Sequence, residues 1–471
     1  MNNEETKFRK IIEKYPTNHT PFYARPNYSR RNFFNLVGAG VTASCLSRDL
    51  QGQVIKSSPV QTKNTAKNVI FILLAGAPSH TDTFDLKFLD GTTPKDFNPT
   101  MVGKALWPMG LMPNIGSQLG EVAIVRSVRA WAAAHSLSQT WVQIGRSPTA
   151  ALGDIAPNIG SIVAAEKRGE RQLSQKFPTF LALNSNAAMG SGYLPATYEP
   201  FKMTPSAAGL PNTANSDGQV RFEDKYNLLN AVDGNLRVNS PISEQMNDYG
   251  DFYRSARGLM YNPTVDKAFK YSTADSMRYG NSGFGNALLT AKQVLESNQG
   301  TRYIQVTVGG WDMHSNIYGL NGARTGPNAG LYNMAMGQLD PAVGELIKDL
   351  KANGSLNETL IVMMGEFGRT VGKVTLQGGR DHYLQQFCMF AGGGVKGGKV
   401  IGETDEAGRV TVDPGWSEGR DVRVEDIEAT IYSALGINWT NIRYDDPFGR
   451  GFEYVPSANE GLYKPIHELW A

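Results

Sequence analysis

The stretch NVIFILLAGAPSHTDTFD, residues 68–85, decides the fold class. Val69 to Leu74 is an unbroken apolar run. A strand with one wet face alternates apolar and polar residues. An unbroken run marks a strand buried on both faces, as in a parallel sheet covered by helices on both sides. The run ends in Ala75-Gly76-Ala77-Pro78, and Ser79, His80 and Asp82 follow at once. Ser79 or Asp82 can cap a helix there and His80 can pack; equally, His80 and Asp82 are a pair of metal-ligand types.

Working outward, the same grammar repeats. EVAIVRSVRA (121–130), YIQVTV (303–308), TLIVMMG (359–365) and QFCMFAGGG (386–394) read as strands. Residues 156–169, 285–298, 339–353 and 425–435 carry helical spacing. Strand and helix in alternation predict a doubly wound, mostly parallel α/β sheet, whose ligands sit beyond the carboxyl ends of the strands.

The chemistry-bearing residues cluster at those ends. GGWDMHSN (309–316) places Asp312 and His314 two apart, and if the backbone stays extended both point to one side. His135, Ser136 and Ser138 follow the second strand, Glu366 and Arg369 stand in GEFGRT (365–370), and Arg380, Asp381 and His382 in GGRDHY (378–383). Of the chain's six histidines, four lie in these loops; only His19 and His467 do not. Packing alone would scatter them. Carboxylates and imidazoles converging on one point are metal ligands by type, suiting zinc or manganese, whereas an oxygen-rich set suits calcium or magnesium. A divalent ion can lower the pKa of water or of a serine hydroxyl and neutralise an ester oxygen. Ser136 and Ser138, at a helix start, are candidate nucleophiles or simple caps. Arg369 and Arg380 can clamp an anion bidentately or serve as structural ion-pair partners.

Composition removes other classes. The chain has 471 residues and a net charge of +2 from 46 basic and 44 acidic side chains, which gives no argument for nucleic acid. No run of 18 apolar residues exists, so no ordinary transmembrane span is expected. Cys45 and Cys388 form neither a disulfide framework nor a zinc spacing. Ser29-Arg30-Arg31-Asn32-Phe33-Phe34 before the mild segment NLVGAGVTASCL (35–46) reads as a twin-arginine export signal. That predicts the twin-arginine translocase as a partner and a periplasmic or extracellular location. Thr42-Ala43-Ser44-Cys45 lacks the leading Leu of a lipoprotein box, which argues against lipid anchoring at Cys45. The expected organisation is a signal over 1–46, a linker over 47–66 and one domain over 67–471, with a loop-rich insertion at 185–280 that shapes substrate access.

The export signal, residues 68–87, GGWDMHSN, GEFGRT, GGRDHY and the ending KPIHELWA (464–471) together resemble the bacterial family known as domain of unknown function 1501, grouped with the sulfatase and alkaline phosphatase superfamily. The resemblance runs from about residue 30 to 471 and is weakest in 185–280. It implies an alkaline phosphatase/sulfatase-like core and one or two divalent ions beside a nucleophile at a helix start. The implied order is Asp82, then Ser136 or Ser138, Asp312 with His314, Glu366 and His382; Asp82 or His80, with Glu366, is expected within reach of a second ion, and Asp381 is expected to orient a ligand. Two departures matter. No C/S-x-P-x-R motif exists, which argues against a formylglycine sulfatase. Glu366-Phe367 stands where alkaline phosphatases carry Asp-His, which loses one imidazole and argues against a full two-metal site unless His80 or His135 supplies it. The implied activity is an exported metallohydrolase acting on an anionic phosphate or sulfate ester. The alternative is a non-catalytic envelope protein that binds a surface polymer or protein partner.

Overall fold

Eight strands form one sheet. In chain order they are β1 (Asn68–Leu74), β2 (Val122–Arg129), β3 (Phe180–Leu183), β4 (Phe201–Met203), β5 (Tyr303–Val308), β6 (Thr359–Met364), β7 (Gln385–Ala391) and β8 (Lys399–Ile401). In space the order is β8-β2-β7-β6-β1-β5-β3-β4. Every pairing is parallel except those of β7, which runs antiparallel to both β2 and β6. The computed structural model describes residues 54–55 and 60–471 apart from 173 and 238–243; the export signal, Cys45 and most of the 47–66 segment lie outside the described residues.

β1 is covered on both faces, as its unbroken apolar run requires. Val69, Phe71 and Leu73 face one core, shared with α1 (His135–Ile144), α2 (Ile159–Glu166) and α5 (Val424–Ala434). Ile70, Ile72 and Leu74 face the other, shared with α3 (Gly283–Glu296) and α4 (Asp340–Ala352). The result is a mixed α/β fold with a mostly parallel central sheet between two helical layers. Cys388 of β7 is fully buried, and burial pushes its thiol well up, so it behaves as an inert core residue. Among the described residues no helix is long and apolar enough to cross a membrane.

Two segments differ from their sequence-level description. Residues 185–280, expected to be loop-rich, carry the edge strand β4 and helices Gly218–Asp233, Glu244–Leu259, Pro263–Phe269 and Thr273–Arg278. Helix Gly218–Asp233 buries only Tyr226, so its sequence carries no repeating apolar stripe. The segment read as a linker also joins the fold at its end: the amides of Asn64, Thr65 and Ala66 donate to the carbonyls of Ser433 and Ala434 at the end of α5.

Helix α5 also carries a buried acid with a consequence for stability. Glu428 is 2% exposed and accepts from the Tyr432 hydroxyl at 2.9 Å. Burial pushes its carboxyl up to about 8, against the pull of the Arg146 guanidinium and the Tyr432 hydrogen bond. Between the unfolded value near 4.5 and about 8, the folded chain holds a proton that the unfolded chain has released. This contribution is fully present below pH 4.5 and is lost as pH rises towards 8. Glu428→Gln should therefore leave stability at pH 5 little changed and raise it at pH 9 by on the order of a few kcal/mol, read from urea midpoints.

Candidate metal centre

The centre is built at the carboxyl rim of the sheet from four short segments. The first continues β5. Past Gly309 and Gly310, where φ is +101° at Gly310 and the strand ends, burial alternates: Trp311 and Met313 are buried, while Asp312 and His314 are exposed. Gly76, at the end of β1, holds φ +107°, and a Cβ there would come within 2.6 Å of the Asp312 amide nitrogen. Only glycine allows that approach. The second segment opens α1, with His135 as its first residue behind Ala134. The third, Gly368–Arg369, pairs antiparallel with the fourth, His382–Tyr383, setting Arg369 opposite His382. A Cβ on Gly379 would lie 2.0 Å from the His314 carbonyl carbon, so glycine is again required for the fourth segment to lie on the first. His382 precedes its strand rather than following it. It reaches the same rim because β7 runs against its neighbours.

His135, Asp312, His314 and His382 each offer one ligand atom, and these atoms lie within 4.8 Å of one another. His314 Nε2 is 3.1 Å from His382 Nε2 and 3.0 Å from Asp312 Oδ1. His135 Nε2 is 3.2 Å and His382 Nε2 3.9 Å from the same oxygen. Every ring is held from behind. His135 Nδ1 faces Glu366 Oε1 at 2.7 Å, His314 Nδ1 faces Asp381 Oδ1 at 2.9 Å, and His382 Nδ1 faces the Ala133 carbonyl at 2.8 Å. These are acceptors, so the hydrogen-bond network assigns each hydrogen to Nδ1 and leaves a lone pair on each Nε2. Phe367 packs on the rings of His135 and His382 at 4.9 and 4.7 Å, a dry floor shared with Ala77 and Ala130.

The residues fit a divalent cation. His135 Nε2 is buried with no hydrogen bond and faces a carboxylate oxygen. His314 and His382 point two lone pairs at each other. Acceptors this close repel unless a cation lies among them. Asp312 supplies the anion: partial burial pushes its carboxyl up, but the Arg369 hydrogen bond and charge, with His135 and His314, hold it below its ordinary value. Asp381→Ala, at an exposed position, should leave the fold intact and weaken metal affinity about 10–100-fold. A chelator-competition titration reads it.

The chain matches the family described as "Protein of unknown function (DUF1501)" over residues 66–459. It belongs to that family. No curated protein matches it. Among solved structures, it is similar to a phosphonate monoester hydrolase of Agrobacterium radiobacter, at 12% identity over 86% of this chain and 77% of that one, with a TM-score of 0.40. A sulfatase from Pseudoalteromonas sp. is 14% identical over 88% and 74% of the two chains, with a TM-score of 0.38. A member of the alkaline phosphatase superfamily from Vibrio parahaemolyticus is 12% identical over 88% and 77%, with a TM-score of 0.31.

In this DUF1501 chain the remaining candidates take other places. His80 and Asp82 do not join the four-residue group. His80 is fully buried with Nε2 on the Gly408 carbonyl at 2.8 Å; burial lowers its pKa, partly offset by Asp85. Asp82 is fully buried against Arg380 at 2.6 Å, the Tyr318 hydroxyl at 2.7 Å and Ser79 at 2.5 Å. Glu366 orients rather than ligates: its Oε1 accepts from Gly76 N, His135 Nδ1 and Gln139 Nε2. Among the described residues, His80, Asp82 and Glu366 do not gather into a group of ligand atoms for the expected second ion. Of the two candidates for the missing imidazole, His135 and not His80 stands with Asp312, His314 and His382. Arg380 is committed to Asp82, Tyr318 and the carbonyls of Thr370 and Gly372. Arg369 is committed to the carbonyls of Gly76, Ala77 and Arg380, to Asp312 at 2.6 Å and to His314 Nε2 at 3.3 Å. Neither arginine is free to clamp an anion. Ser138 is buried and donates to the Ala132 carbonyl; Ser136 is exposed beside His135. Gln139 went unnoticed in the sequence, although its i+4 spacing from His135 puts both on one face of α1.

Proposed function

We propose that this chain is an exported, metal-dependent hydrolase of phosphate or sulfate esters, its ion held by Nε2 of His135, His314 and His382 and a carboxylate oxygen of Asp312. One observation carries the reading: three imidazoles, each pinned through Nδ1, turn their Nε2 atoms toward one ionised carboxylate, and of the three only that of His314 meets a donor, Arg369 Nη1 at 3.3 Å. An imidazole-rich set suits zinc or manganese better than calcium or magnesium. An ion there would supply Lewis-acid polarisation of an ester oxygen. The chain's own residues do the rest. Arg369 holds Asp312 in place, Glu366, Asp381 and the Ala133 carbonyl fix the rings, and Phe367 keeps water from behind them. Ser136, exposed at the start of α1, is the nucleophile candidate; the hydroxyl of Ser138 is already donated elsewhere. Export rests on Arg30-Arg31 and the weakly apolar segment after them.

A non-catalytic envelope protein is the second reading, favoured by the full commitment of Arg369 and Arg380. Turnover of p-nitrophenyl phosphate and p-nitrophenyl sulfate separates the two. A hydrolase loses turnover on chelation and regains it with zinc or manganese, and Ser136→Ala abolishes it in the folded chain. An ion bound at one per chain with no turnover of either ester supports the binding protein. Absence of any bound ion contradicts both the centre and the hydrolase.

A further inference from the structure

The loop from β2 to α1 carries a tryptophan four residues before His135 that the hydrolase reading does not use. Trp131 is 43% exposed, yet it is fixed. Its Nε1 donates to both oxygens of Glu425 at 3.0 Å, and Trp141 Nε1 donates to the same carboxylate at 3.0 Å. The two indoles lie 6.1 Å apart at 19°. The Arg423 guanidinium stands 4.0 Å from the Trp131 ring, anchored through Nη1 on the carbonyls of Arg129 and Ala130. Glu425 is 4% exposed, and burying a carboxylate costs stability. A tryptophan that merely packs would be turned inward, where its burial stabilises. Here a buried acid and a stacked arginine hold nearly half an indole in water in one orientation. That is pre-organisation for a ligand ring.

Two further observations place and charge the ligand. The guanidinium of Arg129 makes no hydrogen bond or ion pair with any described residue; burial depresses the neighbouring Arg423, and the Arg129 charge adds to that against Asp421 and Glu425. Neighbouring cations with one unpaired call for an anion. The loop also touches the centre directly. Ala133 accepts from His382 Nδ1, and Trp131 and Glu366 line one small cavity of about 10 Å³. Four residues of chain reach at most about 14 Å, so Trp131 lies within a short oligomer's length of His135.

We infer that Trp131 and Arg129 form a saccharide subsite beside the metal centre, the C–H face of a sugar ring lying on the indole and an acidic substituent meeting Arg129. The ester would then be carried on an acidic oligosaccharide, an inference that rests on the hydrolase reading for the reaction but not for the binding. Arg129 and Arg423 can meet an acidic substituent and Asp421 a hydroxyl, whereas the neutral edge of a nucleobase uses none of these charges.

Calorimetric titration of the full, metal-loaded chain tests this with hexasaccharides of chondroitin sulfate, heparin, carrageenan and alginate, a desulfated chondroitin hexasaccharide and a thymidine hexanucleotide. At least one acidic hexasaccharide should bind saturably, with affinity lowered 10-fold or more by Trp131→Leu. Arg129→Gln should weaken whichever acidic hexasaccharide binds by a similar factor, whether its acid is a sulfate or a uronate carboxylate. Binding of no hexasaccharide, binding indifferent to both variants, or equally tight hexanucleotide binding through Trp131 overturns the subsite. Metal content, measured in parallel, keeps the two claims apart. Saccharide binding through Trp131 in a chain that holds no ion retains the subsite and removes the hydrolase, and a bound ion without saccharide binding does the reverse.

Discussion

His382→Ala is expected to leave the centre without its ion and to lower ester turnover roughly a thousand-fold, equivalent to about 4 kcal/mol of transition-state stabilisation. His382 is one of three imidazoles whose Nδ1 is held from behind, and its Nε2 is 3.1 Å from that of His314. Without it, His314 Nε2 faces only Asp312 and the Arg369 guanidinium, a set with one imidazole too few beside His135. The ring is only part-buried, so the fold should survive, which circular dichroism can confirm. Elemental analysis after desalting should then give well under one ion per chain. A folded His382→Ala protein that keeps its ion and its turnover contradicts the four-ligand assignment.

The second large effect falls on stability. The Arg380–Asp82 pair is buried on both sides, at 3% and 0% side-chain exposure, and spans 2.6 Å. Removing one partner of such a pair leaves an uncompensated buried charge and costs about 3–5 kcal/mol. Arg380→Ala should therefore lower the urea midpoint sharply. Arg380→Ala with Asp82→Ala should lose much less than the sum of the single changes, because the pair is coupled. Metal content per folded molecule should be unchanged in all three proteins. Loss of the ion on Asp82→Ala alone would return Asp82 to the ligand set.

The contrast between two similar motifs shows what the chain makes legible. Asp312-x-His314 and His80-x-Asp82 look alike, each following an apolar strand and a glycine. After β5 burial still alternates, so Asp312 and His314 share a side and converge to 3.0 Å. After β1 and five intervening residues, the chain closes into a 3₁₀ turn, His80–Asp82, whose period is three, so the two side chains part and find local partners. No residue type in the stretch announces that difference. β1 itself was readable because a strand covered on both faces leaves an unbroken apolar run. His135 and His80 are both candidates for the missing imidazole at the level of sequence; the choice between them depends on β2 lying across β7 and β6 from β1, an order that no local spacing encodes. Glu366 was read as a ligand because a carboxylate at a strand end looks like one. Its three hydrogen bonds from Gly76, His135 and Gln139, on separate segments, exist only in the folded chain. The helices within 185–280 escaped notice for the opposite reason, since a largely exposed helix has little apolar pattern to show.

X-ray absorption at the metal edge of the folded, zinc-reconstituted chain tests the central claim most directly. The predicted result is one ion per chain with three imidazole nitrogens at about 2.0–2.1 Å and a carboxylate oxygen at about 2.0–2.2 Å. A chain that retains no ion, or an ion whose shell is all oxygen and unchanged by His314→Ala, would contradict it.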